Sequence, residues 1–152
     1  MGQQQLLLLV LGIVIVGLAV VVGINAFSEN RTKSNADALV TDGLRIVSDV
    51  QAWALKPAQF GGKPTADAMS TVTWAKIGYP SSTTTTYVNV NGTFSFTGPV
   101  TGVTCDTPAV PPSGNAIQVT VYGSNAETKN CVAIGVGGTS ADDISTAVKY
   151  GN

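Results

Sequence analysis

Few side chains in this sequence have the types and spacing that chemistry requires. The 152 residues contain no histidine, which removes the commonest general acid–base and a common metal ligand. One acidic pair stands at Asp142 and Asp143, and such a pair is more typical of a solvated turn or helix start than of a metal site. A glycine-rich stretch contains Gly135, Gly137 and Gly138, but no lysine followed by serine or threonine completes a phosphate-binding loop. We therefore predict no catalytic, cofactor or metal site, and no enzyme activity.

The two cysteines, Cys105 and Cys131, are the remaining reactive pair. Their spacing is far from that of zinc-binding motifs, and no histidine accompanies them. In an exported chain they favour one disulfide bond, which would contribute roughly 3–4 kcal/mol in the chain-entropy model. The alternative is a pair of buried free thiols.

Two short sequences match the acceptor for N-linked glycosylation, and they begin at Asn30 and at Asn91. The second lies in a predicted tight turn, and such matches also arise by chance. The run from Ser81 to Thr86 could carry O-linked sugar, or it is a polar loop.

The composition excludes some classes of function. Charged residues make up 11% of the chain, against about 25% in typical soluble domains, and the net charge is −1. A nucleic-acid-binding basic surface is therefore not expected. Serine, threonine, glycine and asparagine take the place of charge, which suits an exported surface that meets many copies of itself. The length fits one domain plus an anchor.

The rest of the chain is organised around an apolar segment from Leu6 to Phe27. This segment contains no charge, and only Asn25 in it is polar. As a helix it would span about 33 Å, enough to cross a hydrocarbon core of ~30 Å. Three interpretations are open. The first is a cleaved signal, although the run is long and lacks a basic n-region. The second is a signal anchor, and the third is a helix left after a basic leader was removed before Met1.

The helix is predicted to continue beyond the apolar segment and to end before Lys56–Pro57. Apolar residues recur at intervals of three and four, which predicts an amphipathic stripe of Ala36, Leu39, Val40, Leu44, Val47, Val50 and Ala54. The opposite face carries Asp37, Asp42, Arg45 and Asp49. A single helix from about Gln3 to Leu55 would be roughly 80 Å long.

The C-terminal half is predicted to be rich in strands. The Asn91–Gly92 pair indicates a hairpin with positive φ in its turn, between Tyr87–Val90 and Thr93–Thr97. Further strands are predicted at Ala116–Tyr122 and Cys131–Val136. Residues 65–77 are read as a short helix capped by Thr65 or as an irregular loop, and residues 140–149 as a helical turn capped by Ser140 or as an irregular tail. We expect Trp53, Phe60 and Trp74 to lie in the core.

A resemblance rests on three features, namely the apolar start at residues 1–27, its amphipathic continuation, and two late cysteines in a strand-rich half. In these features the chain resembles the type IV pilins and the related pseudopilins. The resemblance implies that a peptidase removes a short basic leader, so that Met1 is a processed and methylated N-terminus. It also implies that the helix is held in the inner membrane until a filament forms around a bundle of such helices.

The resemblance assigns assembly to the apolar helix. The family has Glu at the fifth mature position, where this chain has Gln5 if Met1 is the mature start. A glutamine can form a hydrogen bond with a neighbouring N-terminal amine but cannot form a salt bridge. The predicted assembly surface is Gln5, Leu6, Leu7, Leu8, Leu9, Val10, Leu11, Ile13, Val14, Ile15, Val16, Leu18, Val20, Val21 and Val22.

Two glycines are predicted weak points of this helix. Gly17 and Gly23 bracket a stretch that contains three successive valines, and glycine and β-branched residues both lower helix propensity. We expect the stretch between them to extend on assembly.

Together these patterns predict an α+β fold in which a long N-terminal helix packs on a small antiparallel sheet. Residues 1–28 form the membrane-spanning or filament-core helix, and residues 29–152 form a pilin-like head that includes the amphipathic half at 29–56. The predicted function is a structural subunit of an extracellular type IV pilus-like filament, a homo-oligomer that passes from the inner membrane to the cell surface. Such a filament could serve adhesion, twitching or DNA uptake. The alternatives are a pseudopilin of a secretion system and a membrane-anchored exported binding domain that never polymerises.

Overall fold

The computed structural model describes residues 2–63, 69–80 and 85–151. One long helix, α1, is followed by a five-stranded antiparallel sheet whose strands are ordered as they occur in the chain. The elements are α1 Gly2–Leu55, β1 Thr86–Val88, β2 Thr93–Ser95, β3 Val119–Ser124, β4 Cys131–Val136 and β5 Ile144–Lys149. Short 3₁₀ turns occur at Ala58–Phe60, Met69–Thr71 and Ala141–Asp143. The predicted class, a long helix packed on a small antiparallel sheet, is confirmed. The proposed cap Thr65 lies outside the described residues.

The second half of α1 docks on the sheet through the apolar stripe. Its buried residues are Ala36, Leu39, Gly43, Ile46, Val47, Val50, Trp53 and Ala54. The predicted stripe is confirmed except at Leu44, which is 41% exposed. Gly43 takes the central place instead, because a Cβ there would lie 2.7 Å from the Cδ1 of Ile134 on β4. The missing side chain therefore lets the helix backbone approach the sheet closely.

Strand β4 is buried along its whole length, because both faces of the sheet are covered. Alternate side chains of a strand point to opposite faces, and Ile134 faces α1. On the other face, Cys131 forms a disulfide with Cys105, and a Cβ on Gly135 would lie 2.6 Å from the Cδ1 of Ile117. The loop before β3 therefore crosses this second face.

The β1–β2 hairpin is confirmed, but its predicted turn geometry is wrong. Neither Asn91 nor Gly92 has a positive φ. The Oδ1 of Asn89 instead accepts hydrogen bonds from the backbone nitrogens of Asn91 and Gly92, both at 3.0 Å. Gly92 is required by close approach, since a Cβ there would lie 2.5 Å from the carbonyl oxygen of Ser124.

The C-terminal segment differs from the prediction. Ser140 does begin a helical turn, with Asp143 completing a reciprocal capping box. The chain then extends into β5, which pairs with β4 over its full length, from Val136↔Ile144 to Cys131↔Lys149. The pairing available along the edge of β4 outweighs the weak local pattern of this segment.

Two of the three aromatic residues predicted to lie in the core do so. Trp74 is 1% exposed and stacks on Phe96, with ring centroids 4.2 Å apart, while Trp53 is 3% exposed. The core prediction is therefore confirmed for both tryptophans but is wrong for Phe60, which is 79% exposed. The indole nitrogen of Trp53 donates to the carbonyl of Gly61 at 3.0 Å, so the turn closes over Trp53 and leaves Phe60 outside.

A hydrogen bond between Tyr79 and α1 predicts a loss of stability at high pH. The Tyr79 hydroxyl donates to the Asp49 carboxylate at 2.6 Å. Burial, followed by this hydrogen bond and the charge of Asp49, raises the pKa of Tyr79 to about 12, whereas an unfolded tyrosine has a pKa of about 10. The folded state therefore holds the proton more tightly, so the stabilisation is complete below pH ~10 and is lost as the pH rises through about 12.

We expect the urea midpoint of the full chain in detergent to fall across this pH window. The fall should be smaller in Tyr79→Phe, which has no phenolic proton to lose. An equal fall in both proteins would show that the Tyr79–Asp49 contact does not produce it.

Candidate functional site: an exposed apolar helix

The first half of α1 extends from the head without packing against it. The described residues 2–22 are all exposed, including the predicted assembly surface from Gln5 to Val22. The large apolar side chains from Leu6 to Phe27 have exposed fractions between 52% at Val14 and 79% at Phe27. Within the described residues, α1 is the one helix that is long enough and apolar enough to cross a membrane. Its most apolar 18 residues have a mean hydropathy of 3.2.

The glycines of the apolar half have no packing role within the chain. A Cβ added to Gly12, Gly17 or Gly23 would meet nothing within 4 Å, and α1 is continuous through all three. Gly12 and Gly23 are eleven residues apart, about three helical turns, so they share a face. Gly17 lies on the other side of the helix. Both sides of the apolar half therefore offer a place where another backbone can come close.

A cluster of asparagines, which we call the neck, fastens α1 to the head just beyond the apolar half. It comprises Asn35, Asn91, Asn125 and Asn130. Asn130 is fully buried, and its amide nitrogen donates to the carbonyl of Thr32 at 2.6 Å and to the Oδ1 of Asn35 at 3.2 Å. The carbonyl of Asn91 accepts from the amides of Asn35 and Asn125 at 2.9 and 2.8 Å. The neck holds the exposed helix at a fixed orientation to the head.

The sequence indicated Asn91 only as a turn and glycosylation residue and did not identify the neck, because asparagine is most often a surface or turn residue. The neck also satisfies backbone groups of the head. The Oδ1 of Asn130 accepts from the backbone nitrogen of Gly151 at 3.0 Å, so one side chain joins α1 to the segment that follows β5.

Two acidic residues predicted on the outer face of α1 bind the head instead. Asp42 accepts hydrogen bonds from the amides of Asn89 and Asn91 at 2.8 and 2.7 Å, and Asp49 accepts from Tyr79. In the described part of the chain, the ion pairs near the neck are exposed. Arg31–Glu127 measures 3.1 Å and Glu29–Lys33 measures 2.7 Å, and such pairs contribute little to stability. Neutral donors therefore carry most of the polar docking.

The remaining predicted residues fall in several places. The disulfide between Cys105 and Cys131 is present, with Cα atoms 5.2 Å apart. Asn30 is exposed on α1, whereas the amide of Asn91 is engaged with Asp42; glycosylation of either stays a prediction. The possible processed residue Met1 lies outside the described residues.

The described residues contain no group of three or more histidine, cysteine or acidic side chains that could hold a metal ion. Asp143 faces inward, and hydrogen bonds from the Ser113 hydroxyl, the Ser140 backbone and the Asn115 amide hold the pKa of its carboxyl below the usual value. This carboxylate therefore closes the turn before β5 rather than presenting itself to a ligand.

No family model, curated protein or solved structure matches the chain. The function of the chain is therefore inferred from the exposed helix, the neck and the chemistry of the sequence.

The neck predicts a large effect for one conservative substitution. Asn130→Asp replaces a buried amide donor with a carboxylate that faces the oxygens of Thr32 and Asn35. Burying such an unpaired charge should lower the free energy of unfolding by about 3 kcal/mol or more. Urea unfolding of the full chain in detergent measures this loss.

Asn30→Asp is the matched control, because it adds the same charge at an exposed position of α1. A surface change of this kind should stay within about 0.5 kcal/mol. Similar losses in the two variants would mean that the neck does not fasten the helix.

Proposed function

We propose that this chain is the structural subunit of a type IV pilus-like filament, which assembles through the apolar half of α1. One observation carries the proposal. In the apolar half of α1 each large side chain is more than half exposed, and this half continues without a break into the half that docks on a charge-poor head. An anchor needs only the apolar segment. A filament also needs every subunit to present that segment at the same orientation, and the neck supplies this.

The driving force is the removal of apolar surface from water. Burying one large aliphatic side chain is worth about 1.5–3 kcal/mol, and the segment from Leu6 to Phe27 carries many of them. Only lipid or other apolar helices can bury this segment from all sides. In the proposed pathway the inner membrane holds the helix first, and copies of the same helix replace the lipid as the filament grows outward. Partners are therefore further copies of the chain, with no nucleic acid.

The proposal extends to the N-terminus by resemblance alone. Met1 would be the processed and methylated residue, and Gln5 would form a hydrogen bond with a neighbouring N-terminal amine where the family uses a salt bridge. A pseudopilin of a secretion system would use the same helix in a shorter assembly. A membrane-anchored binding domain would use it only to stay in the bilayer.

Filament formation should depend on the apolar half. Removal of residues 1–28 should give a soluble, monomeric head, whereas the full chain should form filaments when detergent is withdrawn. Ile15→Lys should abolish filaments because a charge cannot be buried cheaply among apolar helices. Thr139→Lys adds the same charge to an exposed position of the head and is the control.

Electron microscopy and light scattering distinguish the outcomes. Filaments formed by the truncated head would contradict assembly through α1. Full-length chains that remain single in the bilayer would identify an anchored domain instead.

The stretch between Gly17 and Gly23 should change conformation on assembly. In the single chain it is helical, but the glycines and Val20 to Val22 make it the part of α1 that extends at least cost. Neighbouring helices that approach at the glycines could shield the opened backbone. A density map of the filament should show this stretch extended and residues from Glu29 onward helical. An unbroken helix from Gln5 to Leu55 in that map would leave the glycines as packing positions only.

A further inference from the structure

A groove lies under the head, where α1 leaves it. Asn25, Ser28 and Lys33 of α1 form one wall, and Lys129 and Tyr150 of the head form the other, around a cavity of about 620 Å³. Its lining residues are mostly polar or charged, and they include the carboxylates of Glu29 and Glu127 as well as the two lysines. The groove therefore marks the boundary between the part of the chain that avoids water and the part that does not.

The position of this groove along α1 matches the headgroup layer of a bilayer. A hydrocarbon core of ~30 Å within a total thickness of ~40–45 Å leaves about 5–7 Å of headgroup region on each side. That distance corresponds to about three to five residues of helix. If the hydrocarbon ends near Phe27, the layer covers residues 28–32, and Ser28 lines the groove.

Lys129 has a backbone conformation that is unusual for lysine. It is the one non-glycine residue with a positive φ in the described chain, at 56°. This left-handed conformation favours glycine or asparagine, and it is strained for lysine. Such strained positions persist where the surrounding structure enforces them, and they cluster at functional sites. The turn from Asn125 to Asn130 would form more easily with glycine at this position.

The charge balance of the groove leaves Lys129 available. Among the described residues, Lys33 pairs with Glu29 and Arg31 pairs with Glu127, whereas Lys129 forms no ion pair. Tyr150 is 52% exposed beside it, and tyrosine is enriched at membrane–water interfaces, where its ring lies among the headgroups. An uncompensated cation next to an interfacial aromatic ring suits an anionic lipid headgroup.

We propose that Lys129 and Tyr150 bind the headgroup of an anionic phospholipid in this groove while the subunit sits in the membrane. The proposal rests on the membrane-inserted stage of the proposed function and does not require a filament. The phosphate accepts from the Lys129 ammonium, and the ring of Tyr150 packs against the glycerol region. The contact seats the head on the bilayer surface before assembly.

The test uses the full chain, one copy per nanodisc, in pure phosphatidylcholine or with added phosphatidylglycerol. Amide hydrogen exchange of residues 125–131 and 149–151 is the measurement. We expect exchange to be about fivefold slower with phosphatidylglycerol, the size expected when one basic side chain meets an anionic surface. Lys129→Asn should remove this difference while keeping the turn, because asparagine tolerates a positive φ.

Lys63→Asn makes the same change of charge beyond the far end of α1, and it should leave the difference intact. Equal exchange in both lipids, or a difference that survives Lys129→Asn, would overturn the proposal. Protection in phosphatidylcholine on adding inorganic phosphate would assign the groove to free anions instead. Protection that appears only with two copies per nanodisc would assign it to a neighbouring chain. Each outcome concerns the bilayer stage, so failure here leaves filament assembly to be judged separately.

Discussion

The structure depends on the close contact between one stripe of α1 and one face of the sheet. At Gly43 the helix backbone approaches β4 so closely that a single methyl group would meet Ile134, and Leu39 and Val50 are fully buried on either side. Because this narrow contact and the neck are sufficient to hold the head, no part of residues 2–22 is needed for folding contacts. The apolar half is therefore free to meet lipid or other copies of the chain.

Most of the polar contacts around that stripe are hydrogen bonds from neutral donors rather than ion pairs. Asp42 and Asp49 accept from asparagine amides and a tyrosine hydroxyl, and the neck is built from amides alone. Salt screens exposed ion pairs strongly but affects partly buried hydrogen bonds much less. A head fastened in this way keeps its orientation to α1 across ionic strengths. The same economy of charge lets identical heads lie side by side without strong repulsion.

The sequence predicted those parts of the fold that arise from regular patterns. The three-to-four spacing around Leu39 and Val50 located the docked stripe, and the two cysteines indicated the disulfide. The sequence did not predict those features that depend on residues distant in the chain. β5 forms because the edge of β4 is available, and the glycine at position 92 of the hairpin turn is required by the close approach of Ser124 on another strand. The neck also required the fold, because Asn130 and Thr32 are nearly a hundred residues apart.

The continuity of α1 has a consequence for the exposed half. In lipid, an opened stretch of helix leaves backbone donors and acceptors without partners, and each unsatisfied group costs several kcal/mol. Glycines therefore do not open a helix in a bilayer, and α1 is expected to stay whole there as it is in the single chain. A bundle of helices differs, because neighbouring helices that approach at Gly12, Gly17 or Gly23 can offer hydrogen-bond partners to the freed backbone groups of an opened stretch. The same glycines are thus compatible with an intact helix in the membrane and a longer, partly extended segment in an assembly.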